Sequence, residues 1–110
     1  EFCIVTSDNP RSEDPESIIK MIELGMKGKK YHVVVDRAEA IESAMQIARP
    51  GDIILIAGKG HETYQEFAHE TIKFDDRAVA RRVLNEFRIG DLKERMAKAK
   101  EGARTSNSIK

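Results

Sequence analysis

The sequence predicts an α/β domain with a Rossmann-like, mostly parallel sheet and flanking helices. Short apolar runs alternate along the chain with segments whose apolar residues recur at helical spacing. Polar loops rich in Gly, Pro and charged residues follow two of the apolar runs. The resulting order β-α-β-α-β-loop-α favours parallel strands joined by right-handed crossovers. With 110 residues and no visible repeat, the chain is long enough for one domain.

The first strand and the first helix are predicted from the start of the chain. Residues 2–6 form a continuous apolar run, which is typical of a strand covered on both faces. Asp14 and Pro15 predict the N-cap and the first residue of a helix that ends near Gly28. The apolar residues of this helix recur at helical spacing: Ile18, Ile19, Ile22 and Met26.

A second strand and a second helix follow in the same order. Residues 31–35 are rich in β-branched side chains and predict a strand. Asp36 and Glu39 predict a capping box at the start of the next helix. The apolar face of that helix is predicted to carry Ala40, Ile41, Ala44, Ile47 and Ala48.

The remaining elements begin after a turn at residues 50–52. Residues 53–57 form a third apolar run and predict a third strand. Residues 66–74 alternate weakly and are open to two interpretations, a hairpin or an irregular arm. Asp75 is predicted to cap a last helix with Val79, Val83, Leu84 and Phe87 on its apolar face.

The composition changes at Gly90, which divides the chain into a partial domain, residues 1–89, and an exposed helical or disordered tail, residues 90–110. Residues 103–110 have little to bury and are expected to fray. The basic residues of the tail have no interleaved aromatic side chains, so a solvated tail is favoured over a nucleic-acid contact. A protein-interaction segment is the alternative for this tail.

Charge and cysteine content exclude several classes of protein. Lys plus Arg and Asp plus Glu both number 19, so no net field favours nucleic acid or an anionic membrane. No apolar stretch approaches the roughly 20 residues of a membrane span, and a cytoplasmic protein is expected. Cys3 is the single cysteine and is interpreted as a small buried hydrophobe. Because the sequence starts inside a strand-like run, we expect it to be a piece of a longer protein.

The loop "SDNPRSED" after the first strand carries candidate binding groups. Pro10 fixes its own φ and holds Asn9 extended, which aims the neighbouring side chains. Arg11 offers a planar fork for a carboxylate or phosphate, and Asn9 offers both a donor and an acceptor. Asp8 suits an ammonium group or a contact that braces Arg11. The alternative is a capped turn in which Arg11 pairs only with a carboxylate of residues 13–14.

The loop "GKGHETYQ" after the third apolar run carries a second set of candidate groups. Gly58 and Gly60 allow a backbone to approach a ligand closely. Lys59, His61 and Glu62 add a cation, an imidazole and an anion within four residues. Parallel strands present such loops at one edge of the sheet, so both loops are expected to face one crevice if the first and third strands are neighbours. The alternative is a glycine turn with solvated charges, and the roles of Lys59 and His61 stay open.

Other site chemistries find no support in the sequence. The P-loop pattern G-x-x-x-x-G-K-S/T and the pattern G-x-G-x-x-G are both absent. His32, His61 and His69 lack metal-ligand spacing, so no metal site is expected. No nucleophile elbow is present, and no catalytic residue is expected in these 110 residues.

Three motifs, in order, carry a resemblance to a known family. "TSDNPRSEDP", then "AGKGHETYQ", then "FDDRAVA" resemble the carboxyl-terminal domain of the Mur ligases over residues 2–87. The resemblance implies an ATP- and Mg²⁺-dependent amide ligase of peptidoglycan synthesis that joins an amino acid to a UDP-MurNAc-peptide. It covers about the second half of that domain. The opening strands of the domain and the ATP-binding domain have no counterpart in the sequence.

Within this family, residues 8–11 ("DNPR") resemble the recognition motif of members that add meso-diaminopimelate to UDP-MurNAc-L-Ala-D-Glu. The resemblance implies that Arg11 and Asn9 hold the distal carboxylate of diaminopimelate. It implies that a Gly58 carbonyl and the Glu62 carboxylate hold the distal ammonium. Asp8 and Pro10 belong to the same motif and are carried over with it.

The resemblance also sets expectations for these 110 residues by themselves. They are expected to bind neither ATP nor Mg²⁺ and to form no amide bond alone. An uncovered sheet edge is expected to cause self-association or marginal stability. The alternatives are another Mur ligase, a folylpolyglutamate synthase-like domain, or a standalone α/β module that binds an amino acid or an anion.

Overall fold

The computed structural model of the chain describes the backbone of residues 2–109 and the side chains of residues 2–100. The first two strands are parallel and are joined by a helix, as the α/β prediction requires. Strand β1 (Cys3–Val5) pairs with β2 (Tyr31–Val33) so that Ile4 lies opposite His32. The seven elements, in chain order, are β1 (Cys3–Val5), α1 (Pro15–Glu23), β2 (Tyr31–Val33), α2 (Arg37–Ile47), β3 (Tyr64–Glu66), β4 (Thr71–Lys73) and α3 (Asp76–Ile109).

Helix α1 begins where the sequence predicts and ends earlier. Asp14 is the N-cap and Pro15 is the first helical residue. Ile19 is the buried residue of this helix. The predicted end near Gly28 is wrong, because the backbone bonds change after Glu23. The N–H of Gly25 donates to the Ile22 carbonyl three residues back, at 2.9 Å. Such three-residue bonds close turns and do not continue an α-helix.

Helix α2 confirms its predicted start. The Asp36 carboxylate accepts a hydrogen bond from the Glu39 backbone N–H at 2.9 Å, as an N-cap does. Ala40 and Ile41 are buried, which places this part of the predicted apolar face against the core. Arg37, the first residue of the helix, is buried as well.

The predicted third strand is wrong. Residues 53–57 form no strand in the described part of the chain. The side chain of Ile53 is 94 % exposed and that of Leu55 is 86 % exposed. The run lines a groove of about 770 Å³, whose other walls include Cys3 of β1 and Ala44 of α2. An apolar run becomes a strand only when a neighbouring backbone completes its hydrogen bonds, and the described residues place none beside it.

Residues 64–73 form an antiparallel hairpin, which confirms the hairpin interpretation over the irregular arm. Gln65 lies opposite Ile72, and the Phe67 N–H donates to the Glu70 carbonyl at 2.8 Å to close the turn. The hairpin starts at Tyr64, two residues before the predicted segment. Its first strand thereby follows directly on the "GKGHE" loop.

Helix α3 starts after Asp75 as predicted, and its predicted apolar face is confirmed for two of its four residues and wrong for the other two. Val83 is buried at 1 % exposure and Val79 is half-buried, whereas Leu84 and Phe87 are exposed. The helix continues through Gly90, and all side chains of residues 84–100 are exposed. The division of the chain at residue 89 stays a prediction. The expected fraying of residues 103–110 is not seen in residues 103–109, whose backbone continues α3, and Lys110 lies outside the described residues.

Candidate functional site

The two charged loops lie against each other in the structure. A Cβ at Gly58 would lie 3.6 Å from Asp8 Oδ2, and Lys59 Nζ lies 3.1 Å from Asp8 Oδ1. Gly58 has a φ of +112°, a conformation that favours glycine and lets the backbone come this close. The two loops therefore lie together, although the third strand, on which the expectation of a shared crevice depended, does not form.

A cleft of about 270 Å³ opens between the first loop and α1. Its lining includes the polar side chains of Asp8, Asn9, Arg11 and Glu62, together with Ile18 and Ile22 of α1. Charged groups of both signs therefore stand beside an apolar wall. Such a cleft suits a small molecule with an aliphatic middle and oppositely charged groups.

Arg11 is held by the hairpin. Its Nε donates to Glu66 Oε2 at 2.9 Å, and its backbone N–H donates to the Glu66 carbonyl at 3.0 Å. The alternative in which Arg11 pairs with a carboxylate of residues 13–14 is wrong. The contact in which Asp8 braces Arg11 is wrong as well, since the partner of Arg11 is Glu66. The side chain is 65 % exposed and uses Nε here, so its terminal nitrogens are accessible to a ligand.

The backbone of Arg11 adopts a φ of +55°, in the left-handed region that side chains other than Gly, Asn and Asp seldom enter. Residues held there by their surroundings concentrate at ligand-binding sites. Pro10, which precedes Arg11, is buried, and the Arg11 N–H is fixed by its hydrogen bond to the Glu66 carbonyl. The orientation of this guanidinium is therefore determined by the backbone as well as by the ion pair.

Asn9 connects the first loop to the hairpin and to the second loop. Its Oδ1 accepts from the Glu66 backbone N–H at 2.9 Å and from Lys59 Nζ at 3.4 Å. Glu66 therefore contacts two of the three polar residues of the motif, Asn9 and Arg11. Sequence reasoning missed Glu66, because its partners lie 55 and 57 residues away.

Lys59 is buried, which corrects the alternative of a glycine turn with solvated charges. Its side chain is 0 % exposed, and its ammonium contacts Asp8 Oδ1, Asn9 Oδ1 and the Tyr64 carbonyl. The ammonium also lies 5.9 Å from the centre of the Tyr64 ring. This lysine ties the two loops together.

Glu62 and His61 differ in their positions. Glu62 is half-buried in the cleft lining, and it accepts a hydrogen bond from the Tyr64 hydroxyl at 2.9 Å. That hydrogen bond raises the pKa of Tyr64, since it favours the protonated phenol next to a carboxylate. His61 is exposed and is not part of the cleft lining, so its contact with a ligand stays a prediction.

Arg37 connects the starts of both loops through hydrogen bonds, and sequence reasoning missed it. Its guanidinium donates to both oxygens of Asp76 at 2.7 Å, to the Ser7 carbonyl at 3.1 Å and to the Ala57 carbonyl at 3.1 Å. The hydrogen bond with Asp76 raises the pKa of Arg37. A cation in the first turn of a helix opposes the helix dipole, and this was the available signal that Arg37 has a fixed partner.

The described residues hold no group of side chains typical of a metal site. No three His, Cys, Asp or Glu side chains cluster there with the geometry of a metal site. The sequence also contains no P-loop. Across the described residues, no helix is long and apolar enough to cross a membrane.

The fold and the paired loops define an α/β domain with a charged cleft for a small ligand. A family model described as "Mur ligase, glutamate ligase domain" matches residues 1–60. The chain belongs to this family, and the resemblance seen in its motifs is confirmed.

Curated relatives extend the similarity beyond residue 60. UDP-N-acetylmuramoyl-L-alanyl-D-glutamate--2,6-diaminopimelate ligases of Chlamydia caviae and Halalkalibacterium halodurans are both 55 % identical over 84 residues. A solved structure of a ligase with this name has a TM-score of 0.71 at 44 % identity and covers 77 % of the chain. The chain spans 17 % of the length of those two relatives and 18 % of that solved chain.

Proposed function

We propose that this chain supplies the amino-acid-recognition loops of a ligase that adds meso-diaminopimelate to UDP-MurNAc-L-Ala-D-Glu. The observation that carries the proposal is the arrangement of Asn9, Arg11 and Glu62 around one cleft. Relatives 50–55 % identical to the chain are named as ligases of this specificity. The cleft offers donors for a carboxylate and an acceptor for an ammonium group.

Diaminopimelate has a carboxylate and an ammonium at each end of an aliphatic chain. In this proposal Arg11 and Asn9 bind the distal carboxylate, and the Glu62 carboxylate and the Gly58 carbonyl bind the distal ammonium. The apolar side chains of Ile18 and Ile22 contact the methylene groups between the two ends. A planar guanidinium suits a carboxylate because two parallel hydrogen bonds can form.

The ligation itself belongs to the complete polypeptide. ATP phosphorylates the glutamate carboxylate of the nucleotide substrate, the diaminopimelate amine attacks the acyl phosphate, and phosphate leaves as the amide forms. The described residues contribute binding and orientation of the amino acid. The 110-residue chain alone is expected neither to hydrolyse ATP nor to form the amide.

The test compares two amino acids in the complete ligase that carries this sequence. Diaminopimelate and L-lysine differ by the distal carboxylate, so a site with Arg11 is expected to favour diaminopimelate strongly. A site that pairs a charge rejects an analogue without the partner charge. Equal use of the two amino acids, measured as kcat/KM, contradicts the proposal. Use of glutamate instead identifies another ligase of the family.

A further inference from the structure

Lys59 is not part of the cleft lining, although its buried side chain lies between the two loops of the site. A lysine ammonium has three N–H donors. This one donates hydrogen bonds to Asn9 Oδ1 at 3.4 Å and to the Tyr64 carbonyl, and it forms an ion pair with Asp8 Oδ1 at 3.1 Å. A buried charge persists only when its surroundings pair it in this way. Any effect of Lys59 on a ligand therefore passes through one of its partners.

Asn9 is the partner that transmits such an effect. Its Oδ1 has two lone pairs, and both face donors, the Lys59 ammonium and the Glu66 N–H. A flipped amide would direct its NH₂ group at those two donors and lose both contacts. The amide is therefore fixed with its oxygen toward Lys59, and its NH₂ group is the part left for the cleft that Asn9 lines.

We propose that Lys59 is a positioning residue that sets amino-acid selectivity by holding Asn9 as a hydrogen-bond donor. This inference rests on the proposed function, in which Asn9 and Arg11 meet the distal carboxylate of diaminopimelate. An amide free to rotate would present its oxygen to that carboxylate part of the time and repel it. Lys59 prevents this without touching the ligand.

The test measures steady-state ligation by the complete ligase, with ATP and the UDP-MurNAc-dipeptide saturating. Lys59→Met, which keeps the length of the side chain and removes the donors, is expected to raise the KM for diaminopimelate about ten-fold or more while kcat stays within about two-fold. Lys98→Met changes an exposed lysine of α3 and is the matched control, with the KM of the wild type.

Coupling separates positioning from a general structural role. If Lys59 acts through Asn9, the double variant Asn9→Ala with Lys59→Met has the diaminopimelate KM of Asn9→Ala within about two-fold. Independent, multiplying effects overturn the inference. An unchanged KM for diaminopimelate in Lys59→Met overturns it too. So does a Lys59→Met enzyme in which kcat and the KM for ATP change as much as the KM for diaminopimelate.

A conservative variant keeps the test decisive if Lys59→Met does not fold. Lys59→Arg retains the charge opposite Asp8, and its wider guanidinium is expected to raise the diaminopimelate KM about three-fold or more, with the same dependence on Asn9. An effect under about two-fold, or independence from Asn9, overturns the inference. A wild-type enzyme that does not prefer diaminopimelate to lysine overturns the proposed function, and the role of Lys59 with it.

Discussion

Arg11 combines an unusual backbone conformation with an exposed guanidinium. Its φ of +55° and its two contacts with Glu66 hold it in place before any ligand arrives. A pre-ordered side chain reduces the entropy lost on binding. The ordering therefore contributes to affinity, in addition to the charge.

Arg11→Ala is expected to weaken diaminopimelate binding by about 2–5 kcal/mol, because the bound carboxylate then lies desolvated without its partner. Arg11→Lys is expected to recover only part of the loss, since an ammonium forms no fork. Isothermal titration of the complete ligase measures both values. An unchanged affinity in Arg11→Ala removes the role assigned to this residue.

Arg37 is the second residue whose loss is expected to be severe. Its removal leaves the buried Asp76 carboxylate unpaired and the Ser7 and Ala57 carbonyls without this donor. Arg37→Met is therefore expected to lower the free energy of unfolding by about 3–5 kcal/mol. Urea unfolding followed by circular dichroism measures it.

The matched control for Arg37 is an arginine on the exposed part of α3. Arg88→Met is expected to change the free energy of unfolding by less than about 0.5 kcal/mol, since Arg88 is exposed and its loss leaves no buried group unpaired. Equal losses in the two variants would contradict the importance given to the buried pair.

Among the helices, the start of α3 depends on a half-buried carboxylate. Asp75 Oδ1 accepts from the Arg77 backbone N–H at 3.0 Å and from Arg77 Nε at 3.3 Å. The hydrogen bond from the Arg77 side chain lowers the pKa of Asp75, and the backbone bond acts in the same direction. The charged form is thus favoured by folding.

This lowered pKa gives the stability of the chain a defined pH dependence. The contribution of Asp75 is complete above its unfolded pKa of about 3.9 and is lost as the pH falls through the lower folded value. Asp75→Asn does not titrate, so its deficit in unfolding free energy relative to the wild type is expected to shrink between pH 7 and pH 3. Urea titrations at both pH values measure this. A deficit that is constant or grows toward low pH contradicts it.

Local chemistry determines which elements could be predicted. The starts of α1 and α2 follow from Asp14-Pro15 and from the Asp36 cap, whose contacts span only a few residues. Residues 53–57 have the composition of a strand, but pairing depends on a backbone that composition does not specify. An apolar run therefore predicts that a segment can be a strand, and its neighbours decide whether it is one.

The candidate site divides in the same way. Sequence reasoning selected Asn9, Arg11 and Glu62, which the structure brings to one cleft. It did not find the burial of Lys59 or the contacts of Glu66, because both depend on groups about 50 residues apart. Residue types indicate which chemistry is available, and only the tertiary contacts show which of these groups are already in use.

At the scale of the whole molecule, one apolar groove remains open in the described part of the chain. It lies between β1, α2 and residues 53–57, and it has a volume of about 770 Å³. Ile53 and Leu55 are almost fully exposed beside it. Exposed apolar surface of this kind favours association.

The isolated 110-residue chain is therefore expected to self-associate through this groove. Leu55→Lys places a charge there and is expected to shift the chain toward monomer in sedimentation velocity. Ile89→Lys is the control, since Ile89 is an exposed apolar residue of α3 outside the groove. A monomeric wild type, or equal shifts in both variants, contradicts the expectation.

The two hydrogen bonds between the first loop and the backbone of Glu66 have a practical consequence for protein engineering. The Glu66 carbonyl accepts from the Arg11 N–H, and the Glu66 N–H donates to Asn9 Oδ1. The hairpin therefore helps to determine the conformation of residues 8–11 ("DNPR"). Transplanting only these four residues into another protein would transfer their side chains without the hairpin contacts that shape the loop. A successful graft has to carry the hairpin as well.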